Sequence, residues 1–147
     1  MKREKTLIGI GILFSIIFSI VLYMKSQSIH VKSKDGEWEA YYRREFQDPK
    51  GTWSGYLYYR GKNNVTKAST IFMVNGKLYT GYKDNNEFDK SVNYIPSFLE
   101  KLTFGGRPKI VFSFAVFGNK LTSGDKCELI LKWKVNEDIY EDTLVFK

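Results

Sequence analysis

The fold class is decided by the stretch VTKASTIFMVNGKLYTGY, residues 65–82. Its central Asn75-Gly76 pair supplies the two positive-φ residues of a type I′ turn, and β-prone runs flank the pair on both sides. Because a two-residue loop fixes the register, we predict a hairpin in which Met73 faces Leu78. Both faces of this hairpin are partly apolar, so alternation alone does not say which face is buried.

Five more β-rich runs, separated by turn-forming residues, surround this hairpin. They cover residues 38–46, 52–60, 109–117, 126–135 and 139–146. Together with the two hairpin strands they predict an all-β fold, an antiparallel immunoglobulin-like sandwich of about seven strands. We also expect a short helix at residues 96–102, because proline is accepted in the first turn of a helix.

An uncharged apolar run, LIGIGILFSIIFSIVLYM, occupies residues 7–24. As a helix these residues would span about 27 Å, close to the bilayer core of about 30 Å. Lys2, Arg3 and Lys5 precede the run, and a short basic N-terminus before a large domain favours an N-terminus in the cytoplasm. The predicted organisation is a cytoplasmic segment at 1–6, a transmembrane signal-anchor at 7–24, a tether at 25–36 and an extracytoplasmic β-sandwich domain at 37–147.

Two other interpretations of the apolar run stay open. A cleaved signal peptide would release a secreted domain, although its apolar core is normally about 7–15 residues long. The small-x-small triplet available for cleavage, Ser26-Gln27-Ser28, lies beyond the charged Lys25. A soluble core helix is disfavoured, because the run is apolar on every face. We expect an uncleaved, single-pass anchor in the cell membrane that contacts the lipid bilayer through residues 7–24.

Composition excludes several classes of function. The chain has 147 residues, 43% of them hydrophobic and 16% aromatic, which indicates a folded domain. One cysteine and one histidine cannot form an internal disulfide or a Cys/His metal cluster. The net charge of +7 falls to +4 beyond residue 25, from 19 basic and 15 acidic residues. This excess suits anionic headgroups or wall polymers and is too dispersed for nucleic acid, so we expect no nucleic-acid partner. We expect no cofactor either.

Three segments carry a resemblance to known proteins. They are GEWEA at 36–40, WSGYLYYRGK at 53–62 and LILKWKV at 129–135. After a basic, apolar N-terminus, they resemble uncharacterised small extracytoplasmic, membrane-anchored β-sandwich domains of Gram-positive bacteria. The resemblance covers residues 36–147 and implies a fold and a compartment. It brings no catalytic or binding residues, and the chain lacks the lipid-accepting cysteine of the lipoprotein members.

Few side chains offer catalytic chemistry. His30 lies in a polar segment that would not hold a general base rigidly, so we expect it to be part of a spacer. Cys127 shares a strand face with Leu129, which favours a buried small hydrophobe over a reactive thiol. Glu37 and Glu39 point to one face of a strand, where charged neighbours are common, and nothing indicates the apolar pocket that an acid catalyst needs. The sequence therefore predicts no enzyme.

The segment from Asp84 to Asp89 clusters oxygen ligands that Ca²⁺ could use. It lacks the glycine at the sixth position and the glutamate at the twelfth that an EF-hand loop requires. We expect a solvated loop here, and no metal site.

The strongest candidates for a contact site lie on one strand. If Leu57 and Tyr59 point inward, then Tyr56, Tyr58 and Arg60 project from the opposite face. Tyrosines beside an arginine suit contact with a protein partner or stacking on sugar rings. Outward-facing tyrosines are also common in strands simply because they pair well with side chains of the neighbouring strand. The leading prediction is a noncatalytic binding or accessory domain that contacts another envelope protein. The alternatives are a wall-polysaccharide-binding module and an envelope hydrolase.

Overall fold

A computed structural model describes residues 2–45, 48, 50–79, 89–90, 97–106 and 108–146 of the chain. The chain forms two compact units, one from residues 1–27 with 96–107 and the other from residues 28–95 with 108–147. The second unit is antiparallel β-structure, and an apolar helix precedes it in the chain. The prediction of a mostly β chain behind one N-terminal apolar helix is therefore confirmed.

Helix α1, Lys2–Ser26, contains the apolar run. It is long and apolar enough to span a membrane, a property that a signal sequence shares. The Ser15 hydroxyl donates to the Gly11 carbonyl at 3.0 Å, and the Ser19 hydroxyl donates to the Ser15 carbonyl at 2.8 Å. The helix thus satisfies these two hydroxyls internally, as a hydrocarbon environment requires.

Helix α2, Phe98–Phe104, belongs to the same unit as α1. It lies two residues later than the predicted helix, because Ser97 caps it. The Glu100 N–H donates to the Ser97 hydroxyl, and the Ser97 N–H donates to the Glu100 carboxylate at 2.7 Å. Helix α2 packs against α1, and the Thr103 hydroxyl lies 3.8 Å from the Met24 sulfur.

The β unit contains two antiparallel sheets, and nine strands fall within its described residues. In chain order the strands are β1 (Ser28–Lys32), β2 (Trp38–Arg44), β3 (Trp53–Tyr59), β4 (Val65–Val74), β5 (Lys77–Leu78), β6 (Asp89–Lys90), β7 (Ile110–Gly118), β8 (Cys127–Val135) and β9 (Asp138–Phe146). The four-stranded sheet has the order β1-β2-β3-β7. The five-stranded sheet has the order β5-β4-β8-β9, and β6 pairs with β4.

The predicted hairpin forms between β4 and β5. Asn75 and Gly76 have φ angles of 54° and 75°, and Met73 pairs with Leu78 as the two-residue turn requires. The structure also shows which face of the hairpin is buried. Phe72 is fully buried, so its side of β4 faces the core.

The interval predicted as a tether contains strand β1. Residues 28–32 pair in register with β2, from Ser28 opposite Arg43 to Lys32 opposite Glu39. The segment SIHVK alternates polar residues with the β-branched Ile29 and Val31, a pattern typical of a strand with one side toward the core. Strands β1 and β6 account for the difference between nine described strands and the predicted seven.

One aromatic core lies between the two sheets. The Trp38 ring of the four-stranded sheet packs 4.7 Å from the Tyr59 ring and 5.4 Å from the Trp133 ring of the other sheet. Tyr42 and Phe72 make a second contact between the sheets, with ring centroids 5.4 Å apart. Such ring pairs add specific geometry to the burial of apolar area. The core thus fixes which side of each sheet is the outer one.

Candidate interaction surfaces

The predicted contact residues lie on the outer side of the four-stranded sheet. We call this surface the tyrosine face; its side chains are those of His30, Lys32, Glu39, Tyr41, Arg43, Tyr56, Tyr58 and Arg60. Leu57 and Tyr59 are buried in the core on the other side of β3. Strand β3 therefore alternates as predicted, with Leu57 and Tyr59 toward the core and Tyr56 and Tyr58 on the outer side.

The exposure of the predicted contact residues differs from the expectation. Tyr58 is only 2% exposed, because its ring packs 5.0 Å from the Tyr41 ring and beneath the Arg60 guanidinium at 5.8 Å. Tyr56 and Arg60 are half-buried. The three side chains share one face, but Tyr58 does not project from it.

A buried carboxylate lies at the centre of the tyrosine face. Glu39 is 4% exposed, and it accepts from the Lys32 ammonium at 2.5 Å, the Arg60 guanidinium at 2.6 Å and the Tyr41 hydroxyl at 3.0 Å. Burial alone would raise the pKa of Glu39, but these three donors together outweigh it and hold the pKa below its ordinary value. Glu39 is therefore an ionised structural group at neutral pH.

Tyr56 is held by two partners at the rim of the same face. Its hydroxyl donates to the Glu45 carboxylate at 2.7 Å, and the Arg43 guanidinium lies over its ring, 4.8 Å from the centroid. Burial and the Glu45 carboxylate raise the pKa of Tyr56 above its ordinary value. Because Arg43 covers one side of the ring, that side is closed to a stacked ligand.

The outer side of the five-stranded sheet is a second surface, which sequence analysis did not identify. Ile139 is 62% exposed and Val145 is 39% exposed, and Ile130 lies half-buried on the same side of the sheet. An ion pair between Lys132 and Glu141, 3.1 Å apart, lies between Ile139 on one side and Ile130 and Val145 on the other. The sequence indicates this surface through Ile130, an apolar residue between Glu128 and Lys132 on the outer side of β8.

His30 and Cys127, the other side chains considered for catalysis, both lie on strands of the β unit. His30 lies on β1, where its ring stacks on the Tyr41 ring at 5.2 Å. Cys127 is buried in the core, as expected, and burial raises the pKa of its thiol. No group of three His, Cys, Asp or Glu side chains suited to a metal occurs in the part of the chain that the structure describes. The side chains from Asp84 to Asp89, considered for calcium, lie outside the described residues.

Comparison with protein-family models, with characterised proteins and with solved structures finds no match to this chain. The features of the described residues that bear on function are the two outer sheet faces and the helical unit.

Proposed function

We propose that this chain is a single-pass membrane protein whose extracytoplasmic domain is a noncatalytic module for binding another protein of the cell envelope. The observation that carries the proposal is the outer side of the five-stranded sheet, where exposed Ile139 and Val145 lie beside the Lys132–Glu141 ion pair. The ion pair lies between these two apolar side chains, and a surface that combines exposed apolar side chains with charged ones suits contact with another protein.

An uncleaved anchor is favoured by the packing of the helical unit. Met24, at the end of the apolar run, and Thr103 of α2 are both buried where the two helices meet. Cleavage after α1 would remove this contact and expose the Thr103 side of α2. The basic residues Lys2, Arg3 and Lys5 before the apolar run favour an orientation with that end in the cytoplasm and the β unit outside.

The strand order supports an immunoglobulin-like sandwich. Strands β2-β3-β7 take the places of A-B-E in one sheet, and β5-β4-β8-β9 take those of C′-C-F-G in the other. In such a sandwich the inward-facing residues of both sheets form the core, so the outer sheet faces are the sides on which contacts with other molecules can be made. A binding role for an outer face is consistent with this architecture.

A noncatalytic role is supported by the electrostatics of the tyrosine face. A general acid needs a carboxyl whose pKa is raised, whereas Lys32 and Arg60 hold the pKa of Glu39 low. Glu39 is also enclosed by its partners, so a substrate has no direct approach to it. The tyrosine face is accordingly a structural network with Tyr56 and Arg60 as candidate contact residues at its rim.

Site-specific photo-crosslinking in intact cells tests the proposal. A photo-reactive residue at Ile139 or Val145 of the full chain should give one dominant adduct with a membrane protein. The same residue at Glu137, whose side chain is 94% exposed in the turn before β9, is the matched control and should not give that adduct. Equal adducts from all three positions, or no adduct, would count against a specific protein partner.

Sedimentation of the detergent-solubilised full chain with cell-wall sacculi tests the polysaccharide alternative. Binding that survives moderate salt and is lost in Tyr56→Ala would favour that alternative, since simple electrostatic attraction is screened by salt. Binding that disappears in salt would leave the protein partner as the proposal. The specific observation behind the alternative is that Tyr56 and Arg60 lie half-buried at the rim of the tyrosine face.

A further inference from the structure

We propose that helix α2 is a membrane-interface helix, which inserts Phe98 and Leu102 into the headgroup region of the same bilayer that α1 spans. The inference rests on the proposed anchoring of α1. It adds a second point of lipid contact, about 80 residues further along the chain, to the one that the apolar run provides.

Helix α2 packs beside the end of α1 where the apolar run stops. Thr103 lies against Met24, which is the last residue of the apolar run, and the charged Lys25 follows immediately. A helix of the length of this run matches the thickness of the hydrocarbon core, so its charged end marks the boundary with the headgroups. Helix α2 is therefore held at the depth where the hydrocarbon ends.

Helix α2 has one buried side and one exposed apolar side. Thr103 and Phe104 are buried, whereas Phe98 and Leu102 are 68% and 49% exposed. Residues four apart lie on the same side of a helix, so the two exposed apolar side chains form one patch. Lys101 is exposed beside this patch. Large apolar side chains with a flanking lysine are typical of helices that lie in the membrane interface.

The neighbouring residues of α1 fit the same depth. Tyr23 is exposed one residue before Met24. Tyrosine is enriched at the membrane–water boundary, and lysine can extend its ammonium from there into water. Tyr23, Lys25 and Lys101 thus have the chemistry of an interfacial layer, and the Phe98–Leu102 patch lies on the helix packed at that level. The occupant that this combination fits is lipid.

Spin-label depth measurements on the full chain in phosphatidylcholine–phosphatidylglycerol vesicles test the inference. The labelled variants are Phe98→Cys, Leu102→Cys and, as the deep reference, Leu13→Cys within the apolar run. The wild-type chain is the labelling blank, because Cys127 is buried and its thiol pKa is raised. Spin-labelled glutathione gives the value for water. The ratio of accessibility to oxygen over accessibility to a water-soluble nickel chelate reports depth.

We expect the ratio at Phe98 and Leu102 to shift from the water value toward the lipid value, by less than the shift at Leu13. Water values at both α2 positions with a lipid value at Leu13 would overturn the interfacial helix and leave the anchor intact. A loss of accessibility to both probes at Phe98 and Leu102 would indicate protein cover and also overturn it. A water value at Leu13 would instead overturn the anchoring on which the inference rests.

Discussion

Replacing the buried carboxylate by an amide, in Glu39→Gln, should destabilise the β unit by about 2 kcal/mol at pH 7. Breaking a buried ion pair costs about 3–5 kcal/mol when the remaining charge stays buried. Here the side chains of Lys32 and Arg60 are 56% and 25% exposed, so water reaches both cations after the substitution. The amide also still accepts a hydrogen bond from Tyr41, and for both reasons the expected loss lies below that range.

Thermal unfolding of the full chain in detergent micelles measures this loss. Trp38, Trp53 and Trp133 all lie buried in the β unit, so their fluorescence reports the unfolding of that unit. A loss of 2 kcal/mol corresponds to a fall in Tm of roughly 8 °C for a domain of this size. Glu141→Gln is the matched control, because Glu141 pairs with Lys132 at an exposed site and should cost less than about 1 kcal/mol.

The pH dependence of the stability difference between wild type and Glu39→Gln tests more sharply whether Glu39 is ionised in the folded state. Because the folded-state pKa of Glu39 is lowered, its contribution is complete above the unfolded-state pKa of about 4.3 and disappears as pH falls through the folded-state value. The difference in stability between wild type and Glu39→Gln should therefore be full at pH 7 and narrow progressively below pH about 4.3. A difference that stays the same at pH 3, or one no larger than that of Glu141→Gln, would refute the assignment of Glu39 as a buried, ionised group.

Two further changes test the packing of the β unit. In Gly55→Ala, the added methyl group would overlap the buried Phe114 ring, so the free energy of unfolding should fall by about 1–3 kcal/mol in urea titrations. Gly124→Ala, where no atom lies within 4 Å of the new methyl group, should change it by less than about 0.5 kcal/mol, and equal effects would contradict the close contact. A fragment that starts at Val31 loses most of β1 and should be less stable by about 1–3 kcal/mol than one that starts at Ser28. Equal urea midpoints for the two fragments would mean that β1 adds nothing to the β unit.

Local turn chemistry made the β4–β5 hairpin predictable. Asn75 and Gly76 require positive φ angles, and the two-residue loop then leaves one possible register for Met73 and Leu78. The prediction needed no knowledge of distant residues. The same holds for the length and apolar character of α1, which are properties of a continuous segment.

Pairing between distant segments explains what the sequence did not reveal. Strand β1 has only five residues, so its strand structure depends on pairing with β2 as well as on the β-branched Ile29 and Val31. Alternation placed Tyr58 on the correct side of β3, but its burial depends on Tyr41 from β2 and on the Arg60 side chain folding back over its ring. The burial of Glu39 likewise depends on donors that come from three separate positions in the chain.

The ion pairs of Glu39 with Lys32 and Arg60 help to fix the register of β1, which its apolar residues specify only weakly. Strand β1 buries Ile29 and Val31 partially, and a shift by one residue would exchange its two faces. In the observed register Lys32 lies opposite Glu39, and the same carboxylate is bound by Arg60 beyond β3. A shift by one residue would turn Lys32 away from Glu39 and move Ile29 and Val31 off the core side, so the loss of a cation from the buried carboxylate would add to the loss of apolar burial. The charge of Glu39 thus acts on the alignment of the edge strand as well as on stability.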